Sequence, residues 1–334
     1  MSRALELAEL GRGSVAPNPL VGCVIEHEGK IIGEGYHKKY GESHAEVNAV
    51  RSVKEPKLLP SSTLYVTLEP CAHHGKTPPC ADMIVRNGIK KVVIACRDPF
   101  EKVDGKGIEK LEAGGVQVEL GMLGKEAVRL NERFFTFHQE KRPFVILKWA
   151  QTSDGFIARE DGDSKWISNS YSRQLVHKWR AEEDAILVGK NTALADDPSL
   201  TVRNAEGKNP IRILLDSNLA LSESQKLFNG EAETLIFNTS KAGTRESNHW
   251  IQTPEISPQI VLAELYKRKI QSVIIEGGTQ TLNSFIVENC WDEARVFQSE
   301  TSFQTGIAAP SMNRPVHQRR HIQNDQLLIY KNHG

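Results

Sequence analysis

No stretch of this sequence approaches the roughly 20 consecutive apolar residues that a membrane-crossing helix needs. Nor is there any net charge, because 42 basic side chains balance 42 acidic ones. The first absence argues against a membrane span. The second removes any global attraction to nucleic acid or an anionic lipid surface. Cysteine is scarce, with five in 334 residues, at Cys23, Cys71, Cys80, Cys96 and Cys290. An odd number spread over a long chain does not make a disulfide framework. An export signal is also missing. The opening MSRALELAELGRGSV carries Glu6 and Glu9 within its apolar stretch and reads as an amphipathic helix ended by Gly11 and Gly13. The expected location is therefore the reducing cytoplasm, where clustered thiols suggest metal binding or catalysis. We find no internal repeat and no low-complexity tract.

What remains is an ordinary globular mixture, 39% hydrophobic and 25% charged. Its length suggests two domains. PLVGCVIEHEGKIIGEGYH predicts a hairpin turning near Glu28-Gly29. AEVNAVRSV has helical spacing, STLYVTLEP is a strand stopping at Pro70, and CADMIVRNG is a short helix closed by Gly88. IKKVVIACRDP, GIEKLEAGG and VQVEL continue as strand, helix and strand. This alternation predicts an α/β sheet with helices on both faces. GKEAVRLNERFFTFHQEKR predicts one helix leading to Pro143, and a second α/β unit begins there, so the expected domains are 1–142 and 143–334. In the second, RPFVILKWAQTSDGFIA reads as strand, turn and strand, and SYSRQLVHKWRAEE as helix. DAILVGK, PIRILLDS, ETLIFN and IQSVIIEGG read as strands. The polar segment 301–325 has weak periodicity and receives no assignment.

The densest chemistry lies in PCAHHGKTPPC, residues 70–80. Upstream stands SHAEVNAV, with His44 where a helix should begin and Glu46 two residues later. A catalytic zinc site needs three protein ligands and one open position, and His44, Cys71 and Cys80 offer one nitrogen and two thiolates. Helix N-termini would help keep the thiols deprotonated. Glu46 would then serve as base beside a water whose pKa zinc lowers to about 7. This is the H-x-E…P-C logic of the zinc nucleobase deaminases, whose second half is usually P-C-x-x-C; here eight residues separate the cysteines. A closed structural site with His73 or His74 as fourth ligand is the bland alternative, and it leaves Glu46 without a role. Cys23 and Cys96 read as core residues. His27 and His37 read as solvent or edge-strand residues rather than ligands, with His37 the one that could approach the substrate.

HAE with LEPCAHHGKTPPC resembles the deaminase half of the bifunctional riboflavin-biosynthesis deaminase–reductase family, in which the longer spacer is habitual. PNPLVGCVI and GEGYH resemble further blocks of it. The resemblance implies a cytidine-deaminase-like α/β/α domain with zinc on His44, Cys71 and Cys80, and Glu46 as the proton shuttle. It also implies Asn18 at the substrate ring, and His74, Lys76 and Asp98 on the phosphorylated side of the substrate. Where the family often has DPNP, this chain has DPFE, so any contact from that asparagine is lost at Phe100.

Taken alone, the second half says less. EGG at Glu276–Gly278 between a strand and a helix can offer backbone N–H groups to phosphate, but two glycines in a turn are usually just a turn. LKWAQTSDGFIA, GDSKWIS, LVGKNTALADDPSLTVR, RILLDS and IIEGGTQTLNSF, in that order, resemble the reductase half of the same family. That half has a dihydrofolate-reductase-like α/β fold. The resemblance implies NADPH along Ala150, Trp166, Thr192, Asp196, Ser217 and Gly278. It implies the ribosyl phosphate substrate at Ser164, Arg180, Leu200, Arg203 and Glu276. It weakens beyond Arg295. Small phosphoribosylaminopyrimidines are the expected substrates, and a homodimer the expected assembly. Two alternatives compete: a nucleic-acid-editing zinc deaminase with an appended domain, and a deaminase joined to a degenerate, non-catalytic reductase-like half.

Overall fold

Alternation along GCVIEH sets the layers of the first unit, because successive side chains of a strand enter opposite faces. The chain divides into two units, Met1–Lys141 and Arg142–Gly334, in a computed structural model that describes residues 1–72, 78–101, 103–165 and 167–332. The first unit runs α1 (Ser2–Glu9), β1 (Gly22–His27), β2 (Lys30–Tyr36), α2 (Ala45–Ser52), β3 (Thr63–Val66), α3 (Cys80–Arg86), β4 (Lys91–Ile94), α4 (Lys106–Ala113), β5 (Gln117–Leu120), α5 (Gly124–Leu130) and α6 (Glu132–Gln139). Its sheet has the order β2-β1-β3-β4-β5. β1 is antiparallel to both neighbours, and β3, β4 and β5 run parallel. The hairpin turns at Glu28 and Gly29, both at positive φ. Cys23 and Ile25 pack with Ala45, Ala49, Ala81, Ile84 and Leu111 of α2, α3 and α4, while Val24 packs with Ala4 and Leu7 of α1. Helices therefore cover both faces.

GEGYH finds its structural reason where α2 crosses β2. A Cβ on Gly35 would lie 2.3 Å from Ala49 N and 2.5 Å from Ala45 O. Glycine lets the α2 backbone rest directly on the strand, and this fixes where the helix begins. The single helix expected over 124–142 is instead two, α5 and α6, broken at Asn131. The buried Asn131 amide accepts from Leu20 N at 2.8 Å and donates to Leu20 O at 2.9 Å, as a neighbouring strand would. That contact spans 111 residues and holds the PNPL loop in place.

The second unit contains β6 (Phe144–Gln151), β7 (Phe156–Ala158), α7 (Ser170–Glu182), β8 (Ala185–Gly189), α8 (Lys190–Asp196), β9 (Ile211–Leu215), β10 (Thr234–Asn238), β11 (Gly243–Arg245) and β12 (Asn248–Gln252). It continues with α9 (Pro258–Lys267), β13 (Ser272–Ile275), α10 (Thr279–Val287), β14 (Glu293–Gln298), β15 (Ile307–Ala308), β16 (Gln318–Ile322) and β17 (Asp325–Lys331). The large sheet has the order β11-β12-β10-β9-β8-β13-β6-β14-β17-β16. β12 through β14 in that order run parallel, and β11, β17 and β16 are antiparallel additions. Central strands such as AILVG and SVII are wholly buried, as a parallel sheet covered on both faces requires. α9 and α10 contribute to one apolar layer, and α7 and α8 to the clusters of the other.

β7 pairs with β15 in a separate two-stranded sheet rather than continuing β6. The unassigned segment 301–325 contains β15 and β16. β16 is an exposed edge strand, QRRHI, so it has no apolar face to show in its sequence. Among the described residues no helix is long and apolar enough to cross a membrane.

Candidate active sites

In the first unit, three element starts converge. His44 is the extended residue just before α2, with φ −69° and ψ 164°. Cys80 opens α3, and Cys71 follows β3 by a few residues. His44 Nδ1 lies 3.3 Å from Cys80 Sγ and 3.6 Å from Cys71 Sγ. The Cys80 N–H donates to Cys71 Sγ at 3.3 Å. The three potential ligand atoms lie within 4.8 Å of one another. The Cys71 thiol is held well below its ordinary value, first by its hydrogen bond with Cys80, and then by His44 and the Cys80 amide, against the opposing effect of burial. Glu46, in the first turn of α2, is 3% exposed. Burial is the main cause that pushes its carboxyl up.

Asn18 stands at the same place. Its amide Nδ2 is 3.0 Å from His37 Nε2, and His37 Nδ1 is 3.1 Å from the Ser43 carbonyl. The carbonyl fixes the tautomer: Nδ1–H donates to it, so Nε2 accepts from Asn18. His37, read from sequence as a solvent or edge-strand residue, is instead buried, with its ring centroid 5.6 Å from that of His44.

Asp98 is also buried, and burial pushes its carboxyl up to about 7. Its Oδ1 accepts from Phe100 N at 2.8 Å. The Phe100 ring packs against the apolar cluster of Leu68, Ala95, Ala127, Phe134 and Phe135. The residue that departs from the family pattern therefore serves the core. His74 and Lys76 lie outside the described residues, as do His73 and Trp166.

Sequence reasoning missed Glu69 in this region. Its buried carboxylate accepts from Asp98 N, Gly105 N, Gly107 N and Ile108 N at 2.8–3.4 Å. It thereby ties the Asp98 loop and the start of α4 to the end of β3. A Cβ on Gly107 would lie 2.0 Å from Pro70 O, so the same junction requires glycine. The available signal was a glutamate directly before Pro-Cys, at the end of an apolar strand.

In the second unit, the expected cofactor positions fall at the C-terminal ends of adjacent parallel strands. Ala150 lies near the end of β6, Gly278 after β13, Thr192 after β8 and Ser217 after β9, while Asp196 ends α8. These strands are neighbours in the order β9-β8-β13-β6, which is where open α/β sheets bind ligands. Thr192 Oγ1 would be 3.0 Å from a Cβ on Gly278, so a side chain there would crowd the threonine. Gly278 also precedes α10, and the Gly277–Gly278 peptide is cis.

Of the expected substrate residues, Arg180 and Glu276 are brought together. Arg180 Nε and Nη2 donate to the two Glu276 oxygens at 3.0 and 2.7 Å. Lys148 Nζ lies 3.7 Å from Glu276 Oε2. Burial alone would push the Glu276 carboxyl up, but the Arg180 and Lys148 cations overcome it and hold it at about 2. Burial pulls the Lys148 ammonium down, partly offset by Glu276. Sequence reasoning passed over Lys148, and its signal was a lysine inside the otherwise apolar FVILKWAQ. Leu200, expected at the substrate, has φ 53° and its side chain is core, 3% exposed. Packing leaves its backbone as the part able to meet a ligand. Arg203 is exposed. Ser164, half-buried in the loop between β7 and α7, is not joined to Arg180 or Glu276 among the described hydrogen bonds.

Two family models match the chain: the cytidine and deoxycytidylate deaminase zinc-binding region over residues 1–96, and the RibD C-terminal domain over residues 143–301. Riboflavin biosynthesis protein RibD of Aquifex aeolicus is 44% identical over 315 residues, covering 92% of this chain and 88% of that protein. The Escherichia coli protein of the same name is 36% identical, covering 89% and 86%. A crystal structure of a diaminohydroxyphosphoribosylaminopyrimidine deaminase/5-amino-6-(5-phosphoribosylamino)uracil reductase from Thermotoga maritima is 39% identical, with a TM-score of 0.92 over 99% of this chain and 97% of that one. A nucleic-acid-editing deaminase is not favoured, since relatives match across both halves. The expected α/β class holds for both units, and the chain belongs to the RibD family of bifunctional deaminase–reductases of riboflavin biosynthesis.

Proposed function

We propose that residues 1–142 hydrolyse the amine from 2,5-diamino-6-(5-phosphoribosylamino)pyrimidin-4(3H)-one. Residues 143–334 then use NADPH to reduce the ribosyl carbonyl of 5-amino-6-(5-phosphoribosylamino)uracil to a ribityl chain. The Thermotoga maritima relative is named for these two activities. The observation that carries the reading is His44 Nδ1 facing two thiol sulfurs at 3.3 and 3.6 Å, with a buried carboxylate two residues away.

One imidazole nitrogen and two thiols are a donor set that fits a three-ligand catalytic zinc. When bound, zinc supplies the Lewis acidity that makes water nucleophilic near neutral pH. Glu46 takes one proton from the attacking water and gives it to the ring nitrogen, then takes the second from the hydroxyl formed on the ring carbon and gives it to the departing amine. The carbon–nitrogen bond breaks, a carbonyl forms and ammonia leaves. Asn18, oriented by His37, holds the ring. Asp98, with His74 and Lys76, serves the ribosyl phosphate side.

In the second unit Ala150, Trp166, Thr192, Asp196, Ser217 and Gly278 hold the cofactor, which supplies the hydride. Ser164, Arg180, Leu200, Arg203 and Glu276 take the substrate. Arg203 is the exposed cation suited to phosphate. Leu200 acts through its backbone, and Glu276 through an orientation set by Arg180. Lys148 holds a proton at Nζ beside Glu276, ready for the carbonyl oxygen as it is reduced.

The test is one reaction containing purified protein, the diaminopyrimidine and NADPH, with ammonia and nicotinamide absorbance followed together. Ammonia release followed by NADPH oxidation is expected. Neither signal from zinc-loaded protein would overturn the reading, and ammonia alone would leave the second unit without its reductase role.

A further inference from the structure

Residues 197–203, between α8 and β9, form a strap that carries Leu200 and Arg203. Its backbone is unusual, with Asp197 and Leu200 both left-handed at φ 39° and 53°. Non-glycine residues hold that conformation only where their surroundings impose it. Here the constraints are visible. Lys226 N donates to Asp197 Oδ1 at 2.8 Å. The fully buried Arg212 donates to Ser199 O at 3.4 Å. Arg180 donates to Thr201 O at 3.4 Å. At the end of the strap, the Arg203 N–H donates to His177 Nδ1 at 3.3 Å.

His177, whose ring holds the backbone of Arg203 itself, has no role in the site as described so far. It lies on α7 one turn before Arg180 and is buried. A ring nitrogen that accepts an N–H carries no proton, so the imidazole is neutral with its hydrogen on Nε2. The charged groups facing it are Arg180 on its own helix, Arg203 on the strap and Glu276 after β13, and the Thr201 carbonyl also lies against it. Burial first, and then the two guanidiniums, pull the imidazole pKa down.

We propose that His177 is a positioning residue of the reductase: its neutral imidazole anchors the Arg203 amide and so sets where the Arg203 side chain meets the ribosyl phosphate. This rests on the reading that Arg203 contacts that substrate. Protonation turns the acceptor into a donor. The ring then loses the Arg203 N–H and adds a third cation beside Arg180 and Arg203.

Reductase kinetics on the full chain, with 5-amino-6-(5-phosphoribosylamino)uracil as substrate, test this in His177→Phe, His177→Asn and Arg203→Met. Phenylalanine cannot accept the amide, whereas the asparagine oxygen can. His177→Phe is expected to raise KM for the phosphoribosyl substrate about tenfold, the scale of one positioned hydrogen bond. Its kcat and its KM for NADPH should stay within about twofold. His177→Asn should recover most of the KM. It should also lose the extra rise in KM that wild type shows as pH falls below the ordinary imidazole range. The phosphate of the substrate titrates in both proteins, so the difference between the two profiles is the readout. Unchanged ammonia release from the diaminopyrimidine verifies that the first unit is intact. An unaltered KM in His177→Phe, or parallel losses in kcat and both KM values, would overturn the proposal. If Arg203→Met raises KM while His177→Phe does not, the positioning role fails alone. If Arg203→Met has no effect, the assignment of Arg203 fails and takes the proposal with it.

Discussion

The two sites are assembled by different means. In the first unit the chemistry is concentrated: His44, Glu46, Cys71 and Cys80 fall within 37 residues, and each sits at or near the start of a helix or the end of a strand. In the second the groups are dispersed. Lys148 comes from β6, Arg180 from α7, Glu276 from the end of β13 and Arg203 from a strap before β9. A concentrated site stakes its activity on single side chains. A dispersed one relies on the C-terminal ends of central strands and on a buried charge cluster that also supports the fold. Substitutions of His44, Glu46, Cys71 or Cys80 should therefore abolish one chemistry at little cost in stability, while those within the Lys148, Arg180 and Glu276 cluster should cost both.

The sharpest contrast concerns the thiols. Cys71→Ala or Cys80→Ala should empty the zinc site and end ammonia release, leaving NADPH oxidation with supplied uracil substrate intact. Metal content and both rates measured on the same preparation check this, and full zinc occupancy in both variants would refute the ligand set. Glu46→Gln comes next, with ammonia release down about 10²–10⁴-fold, the usual worth of a general acid–base group, and zinc retained.

Glu276→Gln strikes the other kind of site. It leaves Arg180 and Lys148 buried without their counter-charge, a change that typically costs about 3–5 kcal/mol. Urea unfolding of the second unit, followed by the fluorescence of its tryptophans, measures it. The sign of the pH dependence follows from a depressed folded-state pKa. The stabilisation from Glu276 is fully present above its unfolded value near 4.3 and is lost as pH falls toward about 2. The variant should lack that loss.

Gly35→Ala has the smallest expected effect. The added methyl meets the α2 backbone at 2.3 Å, and overpacking of this kind costs about 1–3 kcal/mol. A lower melting temperature for the first unit, with reductase kinetics unchanged, is the predicted result.

The same contrast explains what could be read in advance. The hairpin at Glu28-Gly29 and the His44, Glu46, Cys71 and Cys80 set were legible because local turn chemistry and close spacing encode them. The break at Asn131 was not, since the helical pattern runs through it and the cause is a contact with Leu20. The burial of His37 and the role of Glu69 escaped for the same reason: their partners are Asn18 in one case and the start of α4 in the other. β16 and β15 were illegible because one is an exposed edge and the other only two residues long. In the second unit the resemblance supplied Arg180 and Glu276 separately. That they form one ion pair with Lys148 depends on β6 lying next to β13, a pairing no local pattern encodes.

If one chain carries two chemically independent sites, silencing one leaves the other at its full rate. The most direct measurement takes zinc-loaded Glu46→Gln with NADPH and offers it, in separate reactions, the diaminopyrimidine and the deaminated uracil. Almost no ammonia is expected from the first and wild-type NADPH oxidation with the second. Loss of both activities, or ammonia release at the wild-type rate, would contradict it.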